Sequence, residues 1–191
     1  MQLMGSDVET IGDSWIQITG DQVTQLEAHM QAAGVIPQGA TFARHEVSGT
    51  PLATIVASYN NNPKGKILIM DGGGIDLFTT PLGPNSSAVQ AVVTAFKAFL
   101  DKVKSDGQVQ HIIYSLYPVI PTTQNLNANM KPGFDAACQA SAVDCHLVDL
   151  EPIFMGHPEY IGSDMTHPTA TAAKLIGDAW WKTMQQFCIG Q

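Results

Sequence analysis

The sequence contains little charge, and positive charge is the scarcest. Only 14% of its 191 residues are charged, and 9 Lys and Arg against 17 Asp and Glu leave a net charge of −8 at pH 7. Arg44 is the only arginine. An ordinary domain has about 25% charged residues. Binding to nucleic-acid phosphates or to an anionic membrane surface needs clustered Lys and Arg, so we expect neither partner.

Long apolar runs are also absent. None approaches the roughly 18 residues of a membrane-spanning helix, although hydrophobic residues make up 45% of the chain and suffice for a packed core. The length favours one domain. We place this domain at residues 7–191 and interpret residues 1–6 as a leader or an expression remnant. The polar residues are mostly Thr, Ser, Asn and Gln. We interpret this composition as that of an exported protein, secreted or periplasmic, whose signal peptide is absent from this sequence.

Three cysteines are too few for a disulfide framework. Cys138 and Cys145 are close enough in sequence to pair across a short connection, which leaves Cys188 over. The alternative, three small buried thiols, stays open. A zinc ribbon is excluded because there is no Cys-x-x-Cys pair, and no cluster of carboxylates indicates a metal site.

Apolar runs alternate with segments of helical period along the chain. This alternation predicts a three-layer α/β/α sandwich with right-handed crossovers. The predicted strands are Val8–Ile11, Thr41–Arg44, Lys66–Asp71, Val109–Leu116 and Cys145–Leu150. Two predicted helices have an N-cap, Asp21 for one and Asn85 or Ser86 for the other, and three more begin at Pro51, Pro132 and Pro168.

Functional side chains of such a sheet gather at the carboxyl ends of its strands. The sequence after the first strand is Gly12-Asp13-Ser14, and Asp164-x-x-His167 precedes the last helix. A serine hydroxyl needs a base within hydrogen-bond reach before it can act as a nucleophile. His167 is a candidate for that base, and Asp164 is a candidate for the carboxylate that orients the imidazole. Each motif alone is weak evidence, because both also occur as ordinary turns and caps.

Two further blocks follow the middle strands, Gly49 after the second and Gly73-x-x-Asp76 after the third. With these four blocks in order, the sequence resembles the SGNH hydrolases, the GDSL-type esterases and lipases. The resemblance implies a flavodoxin-like sandwich with a five-stranded parallel sheet. It implies hydrolysis of carboxylic esters or thioesters through an acyl-enzyme, without metal or organic cofactor.

The resemblance also implies a role for each matched residue. Ser14 is the nucleophile, His167 is the general base and acid, and Asp164 is the orienting carboxylate of a catalytic triad. The backbone N–H groups of Ser14 and Gly49 form the oxyanion hole, with a third donor expected at position 75.

Position 75 departs from the family pattern. The family has Gly-x-Asn-Asp, whereas this chain has Gly73-Gly74-Ile75-Asp76. Isoleucine has no side-chain donor, and loss of one oxyanion donor costs about 10²–10³ in rate. We assign Gly74, Ile75 and Asp76 to a substrate-binding wall, where backbone N–H groups of the glycine run could replace the missing donor. Asp71 and Asp76 are otherwise interpreted as turn and helix-cap carboxylates.

These observations predict a serine esterase that acts on short-acyl esters, of small molecules or of glycans. The short-acyl preference follows from a compact chain with little material for a lipid tunnel. Two alternatives stay open: a polysaccharide O-acetylesterase, and a catalytically silent binding domain on the same fold, which Ile75 permits. The apolar segment Leu77–Leu82 either forms a wall of the acyl pocket or packs as an ordinary loop. The sequence does not indicate an oligomeric state.

Overall fold

The fold is a parallel sheet between two layers of helices. The computed structural model describes residues 2–61, 65–78, 83, 86–120 and 126–190. Neighbouring strands are parallel and follow the order β2-β1-β3-β4-β5, which is the flavodoxin-like order. The predicted sandwich is therefore confirmed. The strands are β1 (Val8–Ile11), β2 (Ala43–Arg44), β3 (Ile67–Met70), β4 (His111–Leu116) and β5 (Asp144–Asp149).

Eight helices are found in the described part of the chain, together with short 3₁₀ turns at Gly5–Asp7 and Pro158–Tyr160. The helices are α1 (Ser14–Gln17), α2 (Asp21–Ala32), α3 (Leu52–Asn61), α4 (Gly74–Leu77), α5 (Ser87–Asp106), α6 (Leu126–Ala140), α7 (Glu151–Phe154) and α8 (Ala170–Gln186).

The central strand β3 is buried on both faces, as its uninterrupted apolar sequence predicts. Because side chains alternate along a strand, Leu68 and Met70 join the core cluster under α3, α5 and α6. Ile67 and Ile69 join the cluster on the other face, under α1, α2, α7 and α8. The sheet thus separates two cores.

Three of the five predicted helix starts are corrected by the structure. Gly20, not Asp21, is the N-cap of α2, and Asp21 is its first helical residue. Helix α8 begins at Ala170 with Thr169 as its cap, because Pro168 is held in a β-bridge with Ile161.

The third correction concerns α6, which begins at Leu126 and carries Pro132 in its interior. The proline sacrifices one helical hydrogen bond, but Met130 and Phe134 on either side of it are buried in the core. Their packing therefore outweighs the preference of proline for a helix start. Helix α5 follows its prediction: Ser86 accepts the Val89 N–H and Gly107 ends the helix. The other proposed cap, Asn85, lies outside the described residues.

Two residues of the segment 1–6, which is interpreted from the sequence as a leader or an expression remnant, are in contact with the domain. The Leu3 N–H donates to the Val35 carbonyl at 2.9 Å, and Gly5 is buried against the backbone of Thr41. Leu3 and Gly5 therefore belong to the packed fold, while the interpretation of residues 1–6 as a leader or an expression remnant stays a prediction.

Helices α2 and α8 pack closely together on one face of the sheet. A Cβ at Gly177 of α8 would lie 2.5 Å from the Gln22 carbonyl oxygen of α2, so only glycine allows this approach. One turn further along α8, the fully buried Trp180 donates its indole N–H to Ser115 of β4 at 2.6 Å. Helix α8 is thus anchored to both α2 and the sheet.

Cys138 of α6 and Cys145 of β5 form a disulfide, and Cys188 is an exposed thiol. The bridge ties the end of α6 to the start of β5, away from the carboxyl ends of the strands. Within the described ranges, no helix is both long and apolar enough to cross a membrane.

Candidate active site

The turn between β1 and α1 presents Ser14. Gly12 adopts φ = 151°, and a Cβ at this position would overlap the Asp71 carboxylate. Asp13 then caps α1, because its Oδ1 accepts the Trp15 N–H at 3.1 Å. Ser14 is the first residue of this helix. Its hydroxyl therefore lies at the carboxyl end of the sheet, beside N–H groups of the first helical turn.

The loop before α8 brings an imidazole to that hydroxyl. His167 Nε2 lies 2.8 Å from Ser14 Oγ, and His167 Nδ1 lies 2.7 Å from Asp164 Oδ2. A carboxylate only accepts hydrogen bonds, so Nδ1 carries the proton and Nε2 is free to accept from Ser14. The structure thus brings together the three residues assigned to the triad, although Ser14 and His167 are 153 positions apart.

Asp164 is fixed by the backbone of its own loop. Its Oδ1 accepts the N–H groups of Thr166 and His167, each at 3.0 Å. The hydrogen bond from the His167 N–H is the main reason that the pKa of Asp164 falls to about 2, and the bond from the imidazole adds to it. The carboxylate is therefore ionised at neutral pH and remains a hydrogen-bond acceptor for the imidazole.

The same loop is closed by backbone contacts. Gly162 N–H donates to the His167 carbonyl at 2.8 Å, and Thr169 N–H donates to the Tyr160 carbonyl at 2.8 Å. Met165 adopts φ = 60°, a left-handed conformation that is uncommon for residues other than glycine. The strained backbone at Met165 lies between Asp164 and His167, whose side chains are in contact.

The sequence does not indicate Asp71 and Tyr117, two residues that contact Asp13, as functional candidates; Asp71 is interpreted from it only as a turn carboxylate. Asp71 follows β3 and is almost completely buried; its Oδ1 accepts the Asp13 N–H at 2.6 Å. Tyr117 follows β4 and donates its hydroxyl to Asp13 Oδ2 at 2.8 Å. Their position directly after two central strands is the one signal in the sequence that could have indicated them.

Burial dominates the electrostatics of this group. It raises the pKa of Asp71 well above the usual range, and the negative charge of Asp13 raises it further. Burial also raises the pKa of Asp13, against the opposing effect of the hydrogen bonds from Trp15 and Tyr117. Two almost completely buried acidic groups therefore lie beside Ser14.

A cavity of about 300 Å³ opens above Ser14. Its polar wall contains Ser14 and His167, with the expected oxyanion residue Gly49. The other wall is mainly apolar and is formed by Trp15, Gly74, Ile75, Phe78, Tyr117, Ile120 and Leu126. Asp13, Ser48 and Thr166 complete the lining.

Of the three residues predicted to form a substrate-binding wall, two line the cavity and one does not. Gly74 and Ile75 line the cavity, and Ile75 brings no polar side-chain donor to it. Asp76 instead accepts the Leu52 N–H at 2.8 Å and caps α3, which agrees with its alternative interpretation as a helix-cap carboxylate. Phe78 lines the cavity, while the rest of the suggested acyl wall, residues 79–82, lies outside the described residues. The donor roles of Ser14 and Gly49 stay predictions.

No group of three or more His, Cys, Asp or Glu side chains in the described ranges is arranged to hold a metal ion. No protein-family model and no curated protein sequence matches the chain.

Solved structures do match it over nearly the whole length. Axe2, an acetylxylan esterase from Geobacillus stearothermophilus, matches with a TM-score of 0.69 at 15% identity, covering 94% of each chain. The psychrotrophic esterase EstA from Pseudoalteromonas sp. matches with a TM-score of 0.71 at 14% identity, covering 96% of this chain and 99% of its own. LAE5, an alpha/beta hydrolase enzyme from the metagenome of Lake Arreo, Spain, matches with a TM-score of 0.68 at 19% identity, covering 97% of both.

The chain has the fold of these three enzymes. The fold implied by the resemblance to the SGNH hydrolases is therefore confirmed. Sequence identities of 14–19% show a shared fold but assign neither a role to any residue nor a substrate to this chain.

Proposed function

We propose that the protein is a serine esterase that hydrolyses carboxylic esters with short acyl groups. One observation carries the proposal: a continuous hydrogen-bonded series runs from Asp164 through His167 to Ser14, with distances of 2.7 and 2.8 Å. A nucleophile, a base and a group that orients the base are the parts that acyl transfer needs.

The proposed reaction begins with attack of Ser14 Oγ on the ester carbonyl carbon, while His167 Nε2 takes the hydroxyl proton. The tetrahedral intermediate collapses when the carbon–oxygen bond to the alcohol breaks and His167 returns the proton to the departing alcohol. Water, activated by the same imidazole, then attacks the acyl-enzyme and releases the acid and Ser14. The Asp164 carboxylate stabilises the imidazolium in both halves of the reaction.

The Ser14 and Gly49 backbone N–H groups are the proposed oxyanion donors. Both residues line the same cavity. Two preorganised backbone donors supply part of the stabilisation that three would give, so we expect slower turnover than with an asparagine at position 75.

The short-acyl preference is supported by the size and chemistry of the cavity. About 300 Å³ lies at the lower end of small-molecule pockets, and the wall that contains Ile75 and Phe78 offers apolar contact to an acyl group. We expect activity to be highest with acetyl and propionyl esters and to fall with longer chains.

A second candidate function is removal of O-acetyl groups from a polysaccharide. The fold likeness to Axe2, an acetylxylan esterase, favours it. Initial rates on acetylated glycans and on aryl acetates distinguish the two, because the glycan esterase would have the higher kcat/KM on the glycan.

An exported, secreted or periplasmic location is part of the same proposal. A disulfide between Cys138 and Cys145 persists in oxidising compartments and is rare in the cytosol. Mass spectrometry after alkylation without prior reduction would find both cysteines unmodified if the bridge persists in protein from its native source.

A fluorophosphonate probe and p-nitrophenyl acetate together test the enzymatic proposal. We expect the probe to label Ser14, and Ser14→Ala to lose both labelling and hydrolysis. Ser105→Ala is the matched control, because Ser105 is an exposed residue of α5. An unlabelled wild-type protein that lacks turnover would favour the silent binding domain instead.

A further inference from the structure

Asp71 lies directly behind the turn that carries Ser14. Strands β1 and β3 are paired with Ile11 opposite Met70, so the residues that follow them meet at the same point of the sheet edge. There Asp71 Oδ1 accepts the Asp13 N–H at 2.6 Å, and Gly12 leaves the space that the carboxyl group fills. Asp71 and Asp13 are 1% and 2% exposed.

The two carboxyl groups also lie close enough that the negative charge of Asp13 raises the pKa of Asp71. A hydrogen bond between two carboxyl groups requires one proton, because two carboxylates have only acceptors. Asp13 already accepts from the Trp15 N–H and the Tyr117 hydroxyl, which suits the ionised partner. In the described part of the chain, Asp71 Oδ2 receives no hydrogen bond, which suits an oxygen that carries the proton.

Resting on the proposed function, we propose that Asp71 is a positioning residue that shares its proton with Asp13 and thereby fixes the turn that presents the Ser14 hydroxyl. As a neutral acid, Asp71 accepts one hydrogen bond from the Asp13 backbone and donates one to the Asp13 side chain. Asp13 in turn caps α1 at Ser14 and interacts electrostatically with His167. Asp71 therefore acts on the reaction through Asp13, without contact with substrate.

The charges around Asp71 predict a loss of activity once the pH rises above its raised pKa. The groups that face it are Asp13 in the β1–α1 turn, Glu46 after β2, and Tyr114 in β4. Tyr117 acts on the same pair from the chain after β4. These four groups are carboxylic acids or phenols, and none of them carries a positive charge. Ionisation of Asp71 therefore places a second negative charge beside the Asp13 carboxylate, and none of the four groups neutralises it. The shared hydrogen bond is then lost and the turn is released.

The test compares Asp71→Asn with Asp71→Ala on p-nitrophenyl acetate across pH, after subtraction of spontaneous hydrolysis. Asparagine can accept the Asp13 N–H and donate to the Asp13 carboxylate, so we expect kcat within about threefold of wild type at neutral pH and loss of the decline that ionisation of Asp71 causes as pH rises. Alanine removes both bonds, and we expect kcat to fall by about 100-fold with little change in KM, the size of effect that a displacement of about 1 Å produces.

Glu9→Gln is the matched control. Glu9 is a fully buried acid in β1, the strand that precedes Asp13. Its carboxylate accepts the Gly65 N–H, at the end of β3 opposite to Asp71. We expect this variant to change the melting temperature and to leave kcat and the pH profile unchanged.

Three results would overturn the proposal: wild-type kcat in folded Asp71→Ala, an Asp71→Asn protein as slow as the alanine variant, or an Asp71→Asn protein whose kcat declines with rising pH as in wild type. Should Asp71→Ala fail to fold, the pH profile of Asp71→Asn decides alone. Hydrolysis by Ser14→Ala would instead refute the esterase proposal, so the two failures are distinguishable.

Discussion

The orienting role proposed for Asp164 gives the sharpest prediction, for Asp164→Asn. Asp164 Oδ1 accepts two backbone N–H groups at 3.0 Å. Asparagine keeps those bonds only by directing its oxygen to the backbone and its NH₂ group to His167 Nδ1. Nδ1 must then accept, the ring proton moves to Nε2, and the imidazole can no longer take the proton of Ser14.

The wrong tautomer costs about 10⁴ in kcat, equivalent to about 5.5 kcal/mol. The Asp164 side chain is 53% exposed, so water can partly replace the lost contact, and we expect a fall of about 10³–10⁴. Because the pKa of Asp164 is about 2, wild-type Asp164 stays ionised throughout the assay range. Titration of Asp164 itself should therefore add no pH dependence to the fall between about pH 5 and 9.

Steady-state hydrolysis of p-nitrophenyl acetate measures the effect. Glu159→Gln is the control, because His157 Nδ1 and Glu159 Oε1 form an equivalent exposed pair at 2.9 Å in the same region. That variant should keep wild-type kcat. If Asp164→Asn retains more than a tenth of wild-type kcat, Asp164 does not orient the base and the assignment of the triad is wrong.

Three further predictions concern other residues. Ile75→Asn should raise kcat at least about tenfold by adding an oxyanion donor, with Ile75→Val as the unchanged apolar control. Replacing Cys138 and Cys145 by serine should lower the free energy of unfolding by about 2 kcal/mol, measured in urea, with kcat unaffected because the bridge is remote from the site. Asp71→Asn should raise the melting temperature more at pH 7 than at pH 4. The raised pKa of Asp71 means that its neutral form stabilises the fold fully below about pH 3.8, a contribution lost as pH rises toward the folded pKa, whereas asparagine does not titrate.

The strands and the layers of this protein could be predicted from sequence because each rests on a local pattern. The run from Lys66 to Asp71 is apolar on both faces, and the stripe of α5 has helical spacing; the sheet and the helix follow. Ser14 and His167 could be paired because parallel strands gather their carboxyl ends at one edge. The resemblance then supplied roles that spacing alone leaves open.

The hydrogen-bond network beneath Ser14 could not be predicted in the same way. The register of β1 against β3 decides that Asp71 meets Asp13 rather than solvent, and no local pattern encodes that register. Similarly, Pro132 and Pro168 have the sequence context of helix starts, but the core packing of α6 and the bridge to Ile161 decide otherwise. Long-range contacts settled each of these positions.

Helix α2 follows Ser14 in the chain, α8 follows His167, and Gly177 lets the two helices dock. During synthesis, the ribosome releases the serine some 150 residues ahead of the imidazole. A nascent chain that ends before His167, or one clipped there, therefore lacks the base proposed for Ser14. On this proposal, reactivity towards esters arises only after nearly the whole chain has been made and folding has brought Ser14 and His167 together.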